Sequence, residues 1–195
     1  MRENVSQFPY GKGMKEENDM NLPNKLTCLR MVMIPFFVLF MYLPQNWARY
    51  VALIIFIAAS LTDTADGYIA RKYNLITDFG KFMDPLADKL LVCSALILFV
   101  GTGEIPAFVV VIIIAREFII SGFRLIAADN GIVIAASYWG KAKTISQMVM
   151  IIVILLNVPG WRPFEIVLIA IATVLTVISL LDYLIKSRAV LGNQK

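Results

Sequence analysis

The chain has 195 residues, 59% hydrophobic and 16% charged. An apolar fraction that high, gathered in long runs, excludes an ordinary soluble domain and predicts a single helical membrane domain. The net charge of +4 would suggest nucleic acid in a soluble protein; here it sets topology and meets anionic headgroups, so no nucleic-acid partner is expected.

Residues 1–20 are polar and of mixed charge. They lack the apolar core of a signal peptide and carry the acids that transit peptides avoid, so they read as a polar extension. Pro23 and Asn24 open the first helix, and 27–43 is the first apolar run, interrupted by Pro35 as a kink. The second run, 48–62, continues into an Asp-rich stretch and exits at Arg71 and Lys72. The third covers 77–100, and Gly101-Thr102-Gly103-Glu104 is a short turn. The fourth covers 105–127 and is broken by Arg116-Glu117. A connection over 128–138 holds the turn signal Asp129-Asn130-Gly131. The fifth run is 139–156, Asn157 to Gly160 turns the chain, and the sixth is 163–185, ending in Lys186 and Arg188. Cys28 and Cys93 lie inside apolar runs and read as small packing residues.

Six spans put both termini on one side. The loops after the second and fourth spans, with the two tails, hold nearly all loop Lys and Arg; the other loops hold only Arg49 and Arg162. The positive-inside rule places both termini and the Asp-rich stretch in the cytoplasm. The expected fold is all-α, a polytopic membrane protein of six transmembrane helices around a cytoplasm-facing polar cavity. Its core domain covers 21–188, with 189–195 as a tail.

The chemistry centres on 63–88, DTADGYIARKYNLITDFGKFMDPLAD. Asp63 pairs with Asp66 and Asp84 with Asp88, at spacings that put each pair on one helix face. Carboxylates at membrane depth are costly and normally face a protein interior or a wet cavity. Two such pairs suit hard divalent cations, magnesium or manganese. Gly67 and Ala70 share the first stripe, Gly80 and Ala87 the second. Small residues let a ligand approach the backbone, or equally let helices pack tightly with Lys81 or Lys89 neutralising the acids. The absence of histidine removes His-based acid–base chemistry and His metal ligands. A cation transporter remains a second reading of the carboxylates alone.

In the second half, Arg116 lies about 18 Å along its helix from the cytoplasmic end, too deep for easy snorkelling. It could pair with Glu117 alone. On the fifth span Gly140, Lys143, Thr144 and Gln147 form one polar stripe, with Lys141 at its edge. The stripe reads as a helix contact, and Lys141 as a snorkelling side chain, as readily as a binding surface. Read functionally, Arg116, Lys141 and Lys143, with Arg124, make an anion pocket for an acceptor that carries its own phosphate.

The pattern D63-x-x-D66-G67-x-x-A70-R71, eight residues, G80-x-x-x-D84-x-x-x-D88 resembles the complete signature of the CDP-alcohol phosphatidyltransferase family. The six-span layout extends the resemblance over roughly 21–188. It implies that Asp63, Asp66, Asp84 and Asp88 hold two divalent cations and that Asp88 is the general base. It also implies that Asp66, Gly67, Ala70, Arg71 and Gly80 bind the CDP-lipid. The stretches NLPNKLTCLRMVMIPFF, IIAREFIISGFRL and WGKAKT are similar to the branch that joins CDP-diacylglycerol to sn-glycerol 3-phosphate and releases CMP. Relatives that use phosphatidylglycerol or inositol phosphate as acceptor are the alternatives. Asn24, Thr27 and Arg30 fall in a stretch shared with that branch and are further pocket residues, although Asn24 and Thr27 also read as helix-start residues. The resemblance further implies a homodimer in the bacterial cytoplasmic membrane.

Overall fold

The computed structural model describes residues 22–73, 78–129 and 137–191, with side chains left out at 22–23, 64–71, 78–82, 84–85, 126, 128–129 and 186–191. The extension 1–20, the centre of the connection after the fourth run and the last four residues lie outside them. Six helices and no strand occur among the described residues: α1 Leu22–Tyr42, α2 Asn46–Lys72, α3 Asp78–Gly101, α4 Ala107–Asp129, α5 Tyr138–Leu156 and α6 Arg162–Leu191. Each apolar run became one helix. α6 outruns its apolar stretch because no Gly or Pro stops it before Leu191. α5 starts one residue earlier than expected because the Ser137 hydroxyl caps it, accepting from the Gly140 N–H at 3.2 Å.

The turns follow the sequence signals. Asn157 ends α5 in the left-handed region at φ 48°, and Gly103 and Gly160 take φ of 75° and 85°. α1 packs on α2 and α3, α5 on α2 and α6, and α4 on α3 and α6. The buried faces keep helical periodicity. On α6, Glu165, Ile169, Ala172, Thr176, Ser179 and Tyr183 are all buried, at alternating steps of four and three. Ala52, Ala59, Ala95 and Ala172 have no exposed surface, and such small residues let helix backbones approach. Phe37 and Phe56 fill the space between α1 and α2, with ring centroids 5.9 Å apart.

Large apolar side chains face outward, and a few charged and polar ones are buried beside the apolar core. Leu39, Ile54, Ile97, Val111, Ile166 and Leu181 are exposed, while Arg30, Arg116, Lys143 and Gln147 are buried. An apolar outer surface with charges buried in the interior suits a lipid surround. Among the described residues, three helices are long and apolar enough to cross a membrane: Asn24–Tyr42, Tyr138–Leu156 and Arg162–Ile185.

The two arginines at the end remote from the Asp-rich stretch are both paired. Arg49 of α2 holds the Glu104 carboxylate and donates to the carbonyls of Ile154 and Leu155, closing the C-terminus of α5. Arg162 donates to the Glu104 carbonyl at 2.8 Å and pairs with Glu165 at 3.1 Å. This knot ties α2, the α3–α4 turn, the end of α5 and the start of α6 together.

Phe56→Ala removes a fully buried ring at the α1–α2 seam. It is expected to cost about 3 kcal/mol, the lower end of the range for such truncations. Thermal unfolding in detergent reads this as a clearly lowered midpoint; an unchanged midpoint would contradict the packing described for the seam.

Candidate active site

The polar interior is built in two parts. The first lies between α1 and α2. Asn24, Thr27 and Arg30 recur every three residues along α1 and are all buried, Arg30 completely. The Arg30 Nε donates to the Ala59 carbonyl at 3.2 Å, and its Nη1 pairs with Asp63 Oδ1 at 2.7 Å. A guanidinium with a planar fork can hold a carbonyl and a carboxylate at once, which a lysine cannot match. The Asp63 side chain stays 36% exposed despite this pair, so it can still face a ligand.

The second part is a cleft where α3, α4 and α5 meet, with a cavity volume of about 40 Å³. Its polar lining is Asp88, Lys89, Glu117, Lys143, Thr144 and Gln147, and Leu96 and Ile113 are among the apolar residues that complete it. Glu117 of α4 is the hub. Its Oε1 accepts from the Lys143 ammonium of α5 and from Arg116 Nη1 at 3.0 Å. Arg116 Nη2 donates to the Ser179 hydroxyl of α6 at 2.5 Å. Gly140 backs the same guanidinium: a Cβ there would meet Nη2 at 3.5 Å.

One carboxylate therefore holds two buried cations. Lys143 is 2% exposed and Arg116 8%. Buried charges persist only when paired, and among the described residues the pairing leaves one positive charge in excess. Asp88 and Lys89 line the same cleft with opposite charges, so they do not change the balance. The Arg116 Nε is buried and has no partner among the described residues. An excess cation and a spare donor beside a cleft are what an anionic ligand would satisfy.

Of the residues that the sequence singled out, the helical backbone carries Asp63, Asp66, Gly67, Ala70 and Arg71 on α2, and Gly80, Asp84 and Asp88 on α3. The side chains of Asp66, Ala70, Arg71 and Asp84 lie outside the described residues, as do the immediate surroundings of Gly67 and Gly80. Asp88 and Lys143 line one cleft, and Arg116 joins them through Glu117. Lys141 and Arg124 are exposed and make no ion pair among the described residues. No cluster of three metal-ligating side chains occurs among the described residues, a set that omits the side chains of Asp66 and Asp84. The donors available are all carboxylate oxygens, which suit a hard cation.

Two residues escaped the sequence reading. Glu117 figured only as a pairing partner for Arg116, and Ser179 not at all. Glu117 had a visible signal, an acid beside an arginine in the middle of an apolar helix. Ser179 had none, since serine is common in such helices.

A family model described as CDP-alcohol phosphatidyltransferase matches residues 20–178. A Bacillus subtilis (strain 168) protein is 46% identical over 159 residues, covering 75% of this chain and 81% of the relative. An Escherichia coli (strain K12) protein is 42% identical over 182 residues, covering 89% and 98%. A Rickettsia felis protein is 41% identical over 142 residues, covering 73% and 78%. All three are named CDP-diacylglycerol–glycerol-3-phosphate 3-phosphatidyltransferase.

Glu117→Gln would strand two buried cations against each other. Removing one partner of a buried pair costs about 3 kcal/mol, so the thermal midpoint in detergent is expected to fall sharply. Inorganic phosphate should recover part of the loss by entering as a replacement anion. A midpoint indifferent to the substitution would contradict the hub role.

Proposed function

The chain belongs to the CDP-alcohol phosphatidyltransferase family, and from that membership we propose that it transfers a phosphatidyl group from CDP-diacylglycerol to sn-glycerol 3-phosphate. The products are phosphatidylglycerophosphate and CMP. Membership supports reading the carboxylates as those of a transferase rather than of a cation transporter. The observation that carries the choice of acceptor is the excess positive charge of Arg116 and Lys143 beside the cleft that Asp88 lines. An acceptor that brings its own phosphate neutralises it. The names of the three relatives favour the same acceptor.

In this reading Asp88 takes the proton of an acceptor hydroxyl. The freed oxygen attacks the phosphorus that bears the diacylglycerol. The bond from that phosphorus to the bridging oxygen breaks, and CMP leaves with that oxygen. Lys143 and Arg116, with Lys141 and Arg124, hold the acceptor's own phosphate. Arg30 positions Asp63 by the 2.7 Å pair. Asp63, Asp66, Asp84 and Asp88 would hold two divalent cations, magnesium or manganese, which offset charge on the diphosphate when bound. Asp66, Gly67, Ala70, Arg71 and Gly80 bind the CDP-lipid, the small residues making room for the nucleotide. Asn24 and Thr27 extend the pocket wall on the buried face of α1.

The same reading makes the chain a six-span protein of the bacterial cytoplasmic membrane. Both termini and the site face the cytoplasm, and two copies form a homodimer. Its catalytic domain is 21–188, flanked by the extension 1–20 and the tail 189–195. The basic loops support the orientation, and the pairing of Arg49 and Arg162 with Glu104 and Glu165 supports it too. Those two arginines sit on the opposite side with their charge already balanced.

CMP release by the purified protein tests the roles. Asp63→Asn and Asp84→Asn are each expected to lower turnover about a thousandfold, the scale of several kcal/mol of transition-state stabilisation. Lys143→Ala should raise the KM for glycerol 3-phosphate by roughly tenfold to a hundredfold, the worth of a charge-assisted hydrogen bond, with CDP-lipid binding kept. Near-normal turnover in either Asp variant would sink the metal assignment, and equal loss of CDP-lipid binding in Lys143→Ala would sink the acceptor pocket.

A further inference from the structure

Gln147 sits one helical turn beyond Lys143 on the same face of α5 and lines the same cleft as Asp88 and Glu117. It is 2% exposed, and its Nε2 has no hydrogen-bond partner among the described residues. A buried amide donor without a partner costs stability, and folded proteins keep few of them. Its neighbours on the cleft wall include Leu96, Ile113 and Met148, which offer it nothing. Lys143 and Arg116 are engaged on Glu117, and Arg116 again on Ser179, and the spare Arg116 Nε lies on the side of the phosphate. An unsatisfied donor aimed into a ligand cleft marks a contact that only the ligand completes.

We propose that Gln147 is a specificity-determining residue whose amide binds the hydroxyl of the acceptor that does not react. The inference rests on the polyol phosphate acceptor argued above. The two cations account for the phosphate, and Asp88 for the hydroxyl that attacks. sn-Glycerol 3-phosphate has one further polar group, the middle hydroxyl. A neutral amide suits it, because an amide can donate to a hydroxyl oxygen and accept its proton in return. A site built to hydrogen-bond a hydroxyl also rejects analogues that lack it, since its own buried group is then left unpaired.

The test uses the full chain in detergent with CDP-diacylglycerol and magnesium. CMP release is compared for sn-glycerol 3-phosphate and 3-hydroxypropyl phosphate, which keeps the phosphate and a terminal hydroxyl but lacks the middle one. The wild type should prefer sn-glycerol 3-phosphate by about tenfold in kcat/KM, the scale of one hydrogen bond. Gln147→Met, of similar shape and without the donor, should abolish that preference through KM while the thermal midpoint holds or rises. Gln147→Glu should abolish it too and raise the KM for both acceptors by setting a carboxylate near the phosphate. A preference retained in both variants would overturn the inference. So would equal loss with both acceptors in Gln147→Met together with a lowered midpoint, the mark of a structural residue. A wild type that releases no CMP with sn-glycerol 3-phosphate would instead overturn the functional reading, and the inference with it.

Discussion

The structure depends on keeping fixed charges inside a bundle whose outer surface is apolar. Arg30, Arg116 and Lys143 are each less than one-tenth exposed. Isolated cations in such a place would be expelled or neutralised. Two carboxylates hold them: Asp63 takes Arg30, and Glu117 takes both Arg116 and Lys143. The first pair fixes α1 against α2. The second set fixes α4, α5 and, through Ser179, α6. The positions of five helices around the polar interior are thus tied to two acids, with van der Waals packing of small residues supplying the rest of the association.

The proposed choice of acceptor rests on the imbalance between these groups. The Arg30–Asp63 pair is balanced and reads as positioning. Among the described residues the Glu117 set carries one positive charge too many and a spare Arg116 donor, and it borders the cleft that Asp88 lines. Such preorganised charge favours an anion. The far end of the molecule lacks that imbalance. Arg49 and Arg162 are each matched by a glutamate and by helix-end or turn carbonyls, and their knot holds helices together.

The helices were legible in the chain because each apolar run is about the length of a span and is punctuated by Gly, Pro or Asn. The Asp-rich stretch was legible because spacings of three and four are periodic on a helix. On α5 the sequence kept both Lys143 and Lys141 as pocket residues; the structure separates them, burying Lys143 and leaving Lys141 exposed, since the two are about 200° apart around the helix. The partners of Lys143 and Arg116 left no such trace. Glu117 lies 26 residues before Lys143, and Ser179 lies 63 residues after Arg116. Contacts between helices distant in sequence have no local period to read. The missing partner of Gln147 is likewise a property of the assembled cleft, since any glutamine in a polar stripe looks satisfied until its neighbours are known. The Ser137 cap illustrates the smaller scale: one hydroxyl moved the start of α5 by a residue.

The central claim is that this cleft serves an acceptor carrying its own phosphate. The most direct measurement is acceptor-dependent CMP release from CDP-diacylglycerol by the purified protein with magnesium. sn-Glycerol 3-phosphate, phosphatidylglycerol and inositol phosphate would be compared side by side, and the lipid product identified. The account predicts release with sn-glycerol 3-phosphate and formation of phosphatidylglycerophosphate. Release that depends instead on phosphatidylglycerol, whose headgroup ends in a neutral glycerol, would contradict the role given to Arg116 and Lys143.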